Sequence, residues 1–167
     1  MISREYCQLM ARYGAWMNER LYAACTELAP GERTRDRGAF FGSIHGTLNH
    51  LLWGDRMWLG RFVGPACDYP AFGGDMFADF AELCRERQLT DTAMLQWAAN
   101  VTEAWLESTL EYRSKVDCTT LPLPSSLASF HLFSLFTLPP LSFLSLLLPP
   151  VIYPAFSHLP FFPLFLH

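Results

Sequence analysis

Charge is missing from the last fifty residues of this chain. All 12 Lys and Arg and all 16 Asp and Glu lie between Met1 and Asp117, and none lies from Cys118 to His167. In their place stand Leu (14), Pro (9), Phe (8) and Ser (7), the four residue types whose codons can be written wholly in pyrimidines. A water-facing surface needs charge, and a natural domain rarely builds a third of its length without it. The chain therefore reads as two parts. Residues 1–117 have the composition of a soluble domain, and residues 118–167 are an uncharged, low-complexity segment or a degenerate form of an ordinary domain end.

Other absences narrow the function. The five cysteines (Cys7, Cys25, Cys67, Cys84 and Cys118) are scattered and include no C-x-x-C pair, which argues against a disulfide scaffold and for reduced thiols in a cytoplasm. The net charge of −4 leaves no basic footprint, so nucleic acid is not an expected partner. The start, Met1-Ile-Ser-Arg-Glu-Tyr-Cys, has charges within five residues and no apolar core, so no signal peptide is expected. Spanning a membrane takes about 20 continuous apolar residues. The one stretch of that length, Leu127–Leu148, is interrupted by Pro139-Pro140, so a membrane partner is not expected. No G-x-S-x-G, G-x-G-x-x-G or Walker loop is present, and neither H-x-x-x-H, H-E-x-x-H nor E-x-x-H occurs.

What is present is helical periodicity. Tyr6, Leu9, Met10, Tyr13, Trp16, Met17, Leu21, Ala24 and Leu28 recur at three- and four-residue steps. They predict a first helix capped by Ser3, stopped at Pro30-Gly31, and facing a core along that stripe. A charged loop is expected over 31–38. A second helix is expected from Ala39 to Phe62, with Phe41, Ile44, Leu48, Leu51, Leu52, Trp58, Leu59 and Phe62 on one side and Asp55 among them. Residues 64–74 read as a loop. A third helix is expected from Met76 to Tyr112, with an irregularity at Thr90-Asp91. No strand is expected. The fold class is then all-α, an antiparallel four-helix bundle whose last helix must come from the tail. Ser125–Leu138 is apolar enough for that helix, but Pro139-Pro140 and Pro149-Pro150 break it.

The chemistry rests on few residues. Two ligands on one helix need i, i+3 or i+4 spacing, and His45 and His50 are five apart, about 140° around the helix. They cannot line one site. From spacing alone, His50 is either a bundle histidine with one hydrogen bond or a ligand, and His45 is an interhelical or surface polar residue. A carboxylate at Asp55 is costly to bury alone. It is either the partner of a buried Arg or His, or a group that orients a metal ligand.

Tyr13-Gly-Ala-Trp-Met-Asn-Glu-Arg-Leu and Ser43-Ile-His-Gly-Thr-Leu-Asn-His-Leu-Leu-Trp-Gly-Asp-Arg-Met-Trp-Leu resemble the DinB family over residues 4–116. That resemblance implies a four-helix bundle holding a divalent metal (Zn, Ni or Fe) through three histidines. His50 would be the first ligand, with Asp55 and Trp58 as the carboxylate and aromatic that follow it. Residues 1–117 would be the first three helices, and 118–167 would stand where the fourth helix and a C-terminal strap belong. In register, the other two ligand positions are Leu135 and Pro139, which have no donor atoms, and His131 precedes them by one turn.

The resemblance further implies a metal-dependent enzyme, a thiol-dependent transferase or hydrolase using a small thiol. Homodimers are the expected assembly, since pairing would hide the apolar tail. The chain as written supplies one of three ligands, so the expected metal site is incomplete. The alternative is a non-catalytic helical domain that dimerises, or adsorbs to membranes, through its apolar tail.

Overall fold

The structure, a computed structural model, describes residues 2–63, 75–113 and 120–129. Three long helices dominate it: α1 (Arg4–Thr26), α3 (Ile44–Val63) and α4 (Phe80–Asn100). Two short helices, α2 (Pro30–Thr34) and α5 (Glu103–Glu107), and two strands, β1 (Thr109–Arg113) and β2 (Thr120–Pro124), complete the named elements. The all-α class stands, with a small sheet added.

The Ser3 hydroxyl accepts from the Tyr6 amide at 3.2 Å and caps α1 as expected. The helix ends at Thr26. Arg33 closes it by donating from Nη1 to the carbonyls of Cys25 (3.2 Å) and Leu28. Pro30 starts a helix here rather than merely stopping one. Its ring suits the first turn, where no amide is needed, so part of the expected 31–38 loop is α2.

The expected core stripe of α1 is turned. The buried face is Cys7, Ala11, Gly14, Asn18, Tyr22 and Cys25. Leu9, Tyr13 and Trp16 are exposed at 55%, 36% and 49%. Tyr6, Met10, Leu21 and Leu28 flank the core. Periodicity finds an apolar face, but it does not weigh a neighbouring face of small residues that lets another helix approach closely.

α3 begins five residues later than expected. Ala39–Ser43 form a tight turn with Gly38 and Gly42 at φ 67° and 70°, the left-handed region that favours glycine. Ser43 then accepts from the Gly46 amide at 3.0 Å and starts the helix. Asp79 caps α4 through the Glu82 amide at 2.7 Å. Thr90 and Asp91 lie in mid-helix, where the Thr90 hydroxyl donates to the Glu86 carbonyl at 2.8 Å.

α4 stops at Asn100 rather than at Tyr112. Thr102 caps α5 through the Trp105 amide, and the chain then extends into β1. β1 pairs antiparallel with β2, Leu110 opposite Leu123. The expectation of no strand is corrected here: β2 (Thr-Leu-Pro-Leu-Pro) alternates, and its prolines are tolerated because, among the described residues, it pairs on one side alone. Residues 125–129 are helical, and Ala128 packs into the core. The remainder of the expected fourth helix, and the expected loop 64–74, lie outside the described residues.

α1 and α4 run antiparallel. One apolar cluster joins Cys7 and Ala11 of α1 to Leu59 and Phe62 of α3 and to Met94, Trp97 and Ala98 of α4. The second joins Tyr22 and Cys25 to Ile44, Leu48, Leu52 and Leu83. Between the two, on all three helices, sits a layer of buried polar groups.

Candidate functional site

That polar layer is built from one residue or pair per helix. Asn18 lies between Ala11 and Tyr22 on α1, Asp55 between Leu52 and Leu59 on α3, and Arg87 and Asp91 between Leu83 and Met94 on α4. The Arg87 Nη1 sits 2.5 Å from Asp55 Oδ2, and its Nη2 is 2.7 Å from Asp91 Oδ1. Asn18 Nδ2 donates to the same Asp91 oxygen at 2.9 Å. Arg87 and Asp55 are 2% exposed. One guanidinium thus serves two carboxylates, leaving the layer one charge short of neutral when both are ionised. Burial pushes Asp55 up to about 6 against the pull of Arg87, and raises Asp91 as well. The Tyr22 hydroxyl is buried beside this layer, and burial pushes its pKa well above the usual phenol value.

Asp55 therefore takes the first of its two expected roles, as partner of a buried arginine. Sequence reasoning missed Arg87. The signal was present, since Leu83, Arg87, Thr90, Met94 and Trp97 follow helical spacing and put a charge on an apolar face.

His50 stands apart from this layer. Its ring stacks on Phe41 with centroids 3.8 Å apart and on Trp53 at 5.6 Å. Burial holds the imidazole down at about 4, so it is neutral at physiological pH. Phe41 reaches it from the turn before α3. That turn comes so close to the helix that a Cβ on Gly46 would lie 2.3 Å from the Phe41 carbonyl oxygen.

His45 is buried and points elsewhere, its Nε2 donating to the Phe77 carbonyl at 2.9 Å. It is the interhelical polar residue of the two expected kinds. Asn49 completes that contact. Its Oδ1 accepts from the Met76 and Phe77 amides, both at 2.9 Å, and its Nδ2 donates to the Phe77 carbonyl at 3.0 Å. Asn49 and His45 together pin the approach to α4 onto α3. The two histidines have different partners, as their spacing required. Trp58 packs against Phe62 with the rings tilted at 46° and centroids 6.1 Å apart, and the Arg61 guanidinium lies 4.4 Å above its ring.

Residues 1–126 match the family model described as the DinB family. The chain belongs to the DinB family. No curated protein and no solved structure matches it. The family match covers all three long helices and runs into the uncharged segment. The two halves of the DinB-like pattern meet in space, since Asn18 from the first and Asp55 from the second are joined through Asp91 and Arg87.

The DinB family is one of metal-binding bundles, so the residues here can be tested against a metal. Among the described residues His50 suits a ligand, being neutral and half-buried. Asp55 is held by Arg87 and His45 by a backbone carbonyl. Among the described residues no three His, Cys, Asp or Glu side chains gather as a metal site would require. Leu135 and Pro139, which the resemblance puts at the other ligand positions, lie outside the described residues and carry no donor. Among the described residues the donor set does not fit the family's metal. His131 also lies outside the described residues. No helix among the described residues is long and apolar enough to cross a membrane.

Proposed function

We propose that this chain is a DinB-family helical domain without the family's three-histidine metal centre, one that works by association rather than by metal-assisted catalysis. The observation that carries this reading is the setting of His50, an imidazole stacked on Phe41 and on Trp53, while Asp55, in a separate layer, is committed to Arg87. A single imidazole binds a divalent ion weakly. The association half is supported by Leu9, Tyr13 and Trp16, an exposed apolar row on α1 at i, i+4 and i+7, and by the uncharged segment 118–167. A second copy of the chain is the proposed partner.

Titration of the purified protein with zinc and with nickel tests the metal half. The expected result is no sub-micromolar binding and the same weak isotherm in His50→Ala. Sub-micromolar binding that His50→Ala abolishes overturns the proposal.

One observation favours a second reading, in which the domain is a metal-dependent enzyme with zinc, nickel or iron and a small-thiol cosubstrate. His50 is neutral at pH 7, the state a metal ligand must have. Resequencing the coding DNA separates the two readings. Histidine codons at positions 135 and 139 restore the ligand set and favour the enzyme. Confirmed Leu and Pro favour the association domain.

A further inference from the structure

Two turns along α1 from Asn18 lies Cys25, and two turns back along α4 from Asp91 lies Cys84. Asn18 and Asp91 are in hydrogen-bond contact, and α1 and α4 run antiparallel. The same register therefore sets Cys25 opposite Cys84. Two further observations place them together. Cys84 packs against the apolar cluster that contains Cys25. The Arg33 guanidinium, which donates to the Cys25 carbonyl at 3.2 Å, lies 4.3 Å over the ring of Phe80, one turn before Cys84 on α4.

Cys7 and Ala11, small buried residues of α1, share an apolar cluster with Met94, Trp97 and Ala98 of α4. Packed helices have axes about 8–10 Å apart and Cα atoms about 2.3 Å off the axis, so positions that face each other directly fall within the span a disulfide bridges. Both thiols are free in the structure. Their access differs: Cys25 is 2% exposed, whereas Cys84 is half-buried at the edge of the cluster.

We propose that Cys25 and Cys84 are an oxidisable pair, and that a hydroperoxide closes a disulfide between them that clasps α1 to α4. Cys84, the accessible thiol beside Arg33, attacks the peroxide oxygen. The O–O bond breaks, the alcohol or water leaves, and Cys84 becomes a sulfenic acid. The Cys25 sulfur then attacks the Cys84 sulfur, the S–O bond breaks and water departs. Two thiols lose two electrons and two protons, and the peroxide is reduced by the same two electrons. Burial raises both thiols above their ordinary values, so little thiolate is present and closure is slow. The pair responds to sustained oxidant rather than turning over peroxide. The inference does not depend on whether His50 holds a metal.

The test treats reduced, full-length protein with hydrogen peroxide, followed by non-reducing digestion and mass spectrometry. The expected product is one Cys25–Cys84 linked peptide in a chain that has lost two hydrogens. Its thermal midpoint is expected to rise by about 10 °C, since the bridge closes a long loop, and to fall back with dithiothreitol. Cys84→Ser abolishes the linked peptide and the shift, and Cys7→Ser changes neither. The proposal is overturned if Cys25 stays a free thiol while Cys84 is oxidised alone. A Cys84 bridge to Cys7, Cys67, Cys118 or another molecule overturns it equally, and because the mapping uses the unmutated chain, a folding defect in a variant cannot mask the answer.

Discussion

Arg87 and Asp55 face each other across α4 and α3 at 2.5 Å, with side chains 2% and 4% exposed, and the same guanidinium holds Asp91 from its own helix. Burying one cation with two carboxylates is tolerable only while every member keeps its partner.

Removing one member should therefore be expensive. Asp55→Asn strips a charge from the pair and leaves Arg87 with Asp91 alone. Arg87→Met strips the cation from two buried carboxylates. Each is expected to cost about 3–5 kcal/mol, with Arg87→Met the worse. Urea denaturation monitored by circular dichroism measures it. A loss under about 1 kcal/mol for Arg87→Met would mean that solvent reaches the layer.

Two buried groups pull the pH dependence in opposite directions. Asp55 titrates at about 6 when folded, above its ordinary value, so between about pH 4 and 6 the folded chain holds more protons than the unfolded one at this site. Its contribution to stability falls as pH rises through that window. His50 titrates at about 4 when folded, below its ordinary value, so the unfolded chain holds more protons there. Its contribution is present above the unfolded value and is lost as pH falls through the folded one. The intact protein should show a shallow profile from pH 4 to 6.5. Asp55→Asn should leave stability rising with pH across that range, and His50→Phe should leave it falling. Denaturant midpoints at half-unit pH steps decide the matter.

The Asn49 contact predicts local loosening. Asn49→Ala removes the acceptor for two amides and one donor to Phe77, at a fully buried position. The expected cost is about 2–3 kcal/mol. The Met76 and Phe77 amides should exchange with solvent faster, while amides in mid-α4 slow or hold. Hydrogen exchange followed by NMR reads both.

Gly46→Ala tests the setting of His50. The added Cβ would strike the Phe41 carbonyl oxygen, so the turn must shift and take the Phe41 ring off the imidazole. With less burial, the His50 pKa should move up from about 4 toward its ordinary value, as read from ring-proton shifts against pH. An unchanged value would show that Trp53 and the helix bury the ring without Phe41.

Self-association should depend on the outer face of α1. Leu9→Glu with Trp16→Glu places charge in the exposed row and is expected to shift sedimentation toward monomer with little change in stability. An unaltered sedimentation profile would remove α1 from the proposed interface.

Local patterning carried much of the architecture. Helical periodicity and the Ser3 cap were enough for a mainly helical domain, although the expectation of no strand missed β1 and β2. The spacing of His45 and His50 was enough to separate their roles, because side-chain direction around a helix follows from residue number alone. Two local features misled. The large apolar residues of α1 marked a face, yet the residues it buries most fully are Cys7, Ala11, Gly14, Asn18, Tyr22 and Cys25, with only part of the expected stripe packed beside them. The even run of α4 masked the stop at Val101 and the short hairpin beyond it.

Position along the chain decides what each helix offers to its neighbours, and residues 1–117 and 118–167 differ in composition whatever their fold. Which offers are taken up depends on groups far apart in sequence. Asp55 had two possible partners until α4 brought Arg87 against it, and nothing local to Asn18 announces Asp91. Those pairings exist because burying apolar faces sets the helix register, and polar groups caught between the two clusters must then satisfy one another.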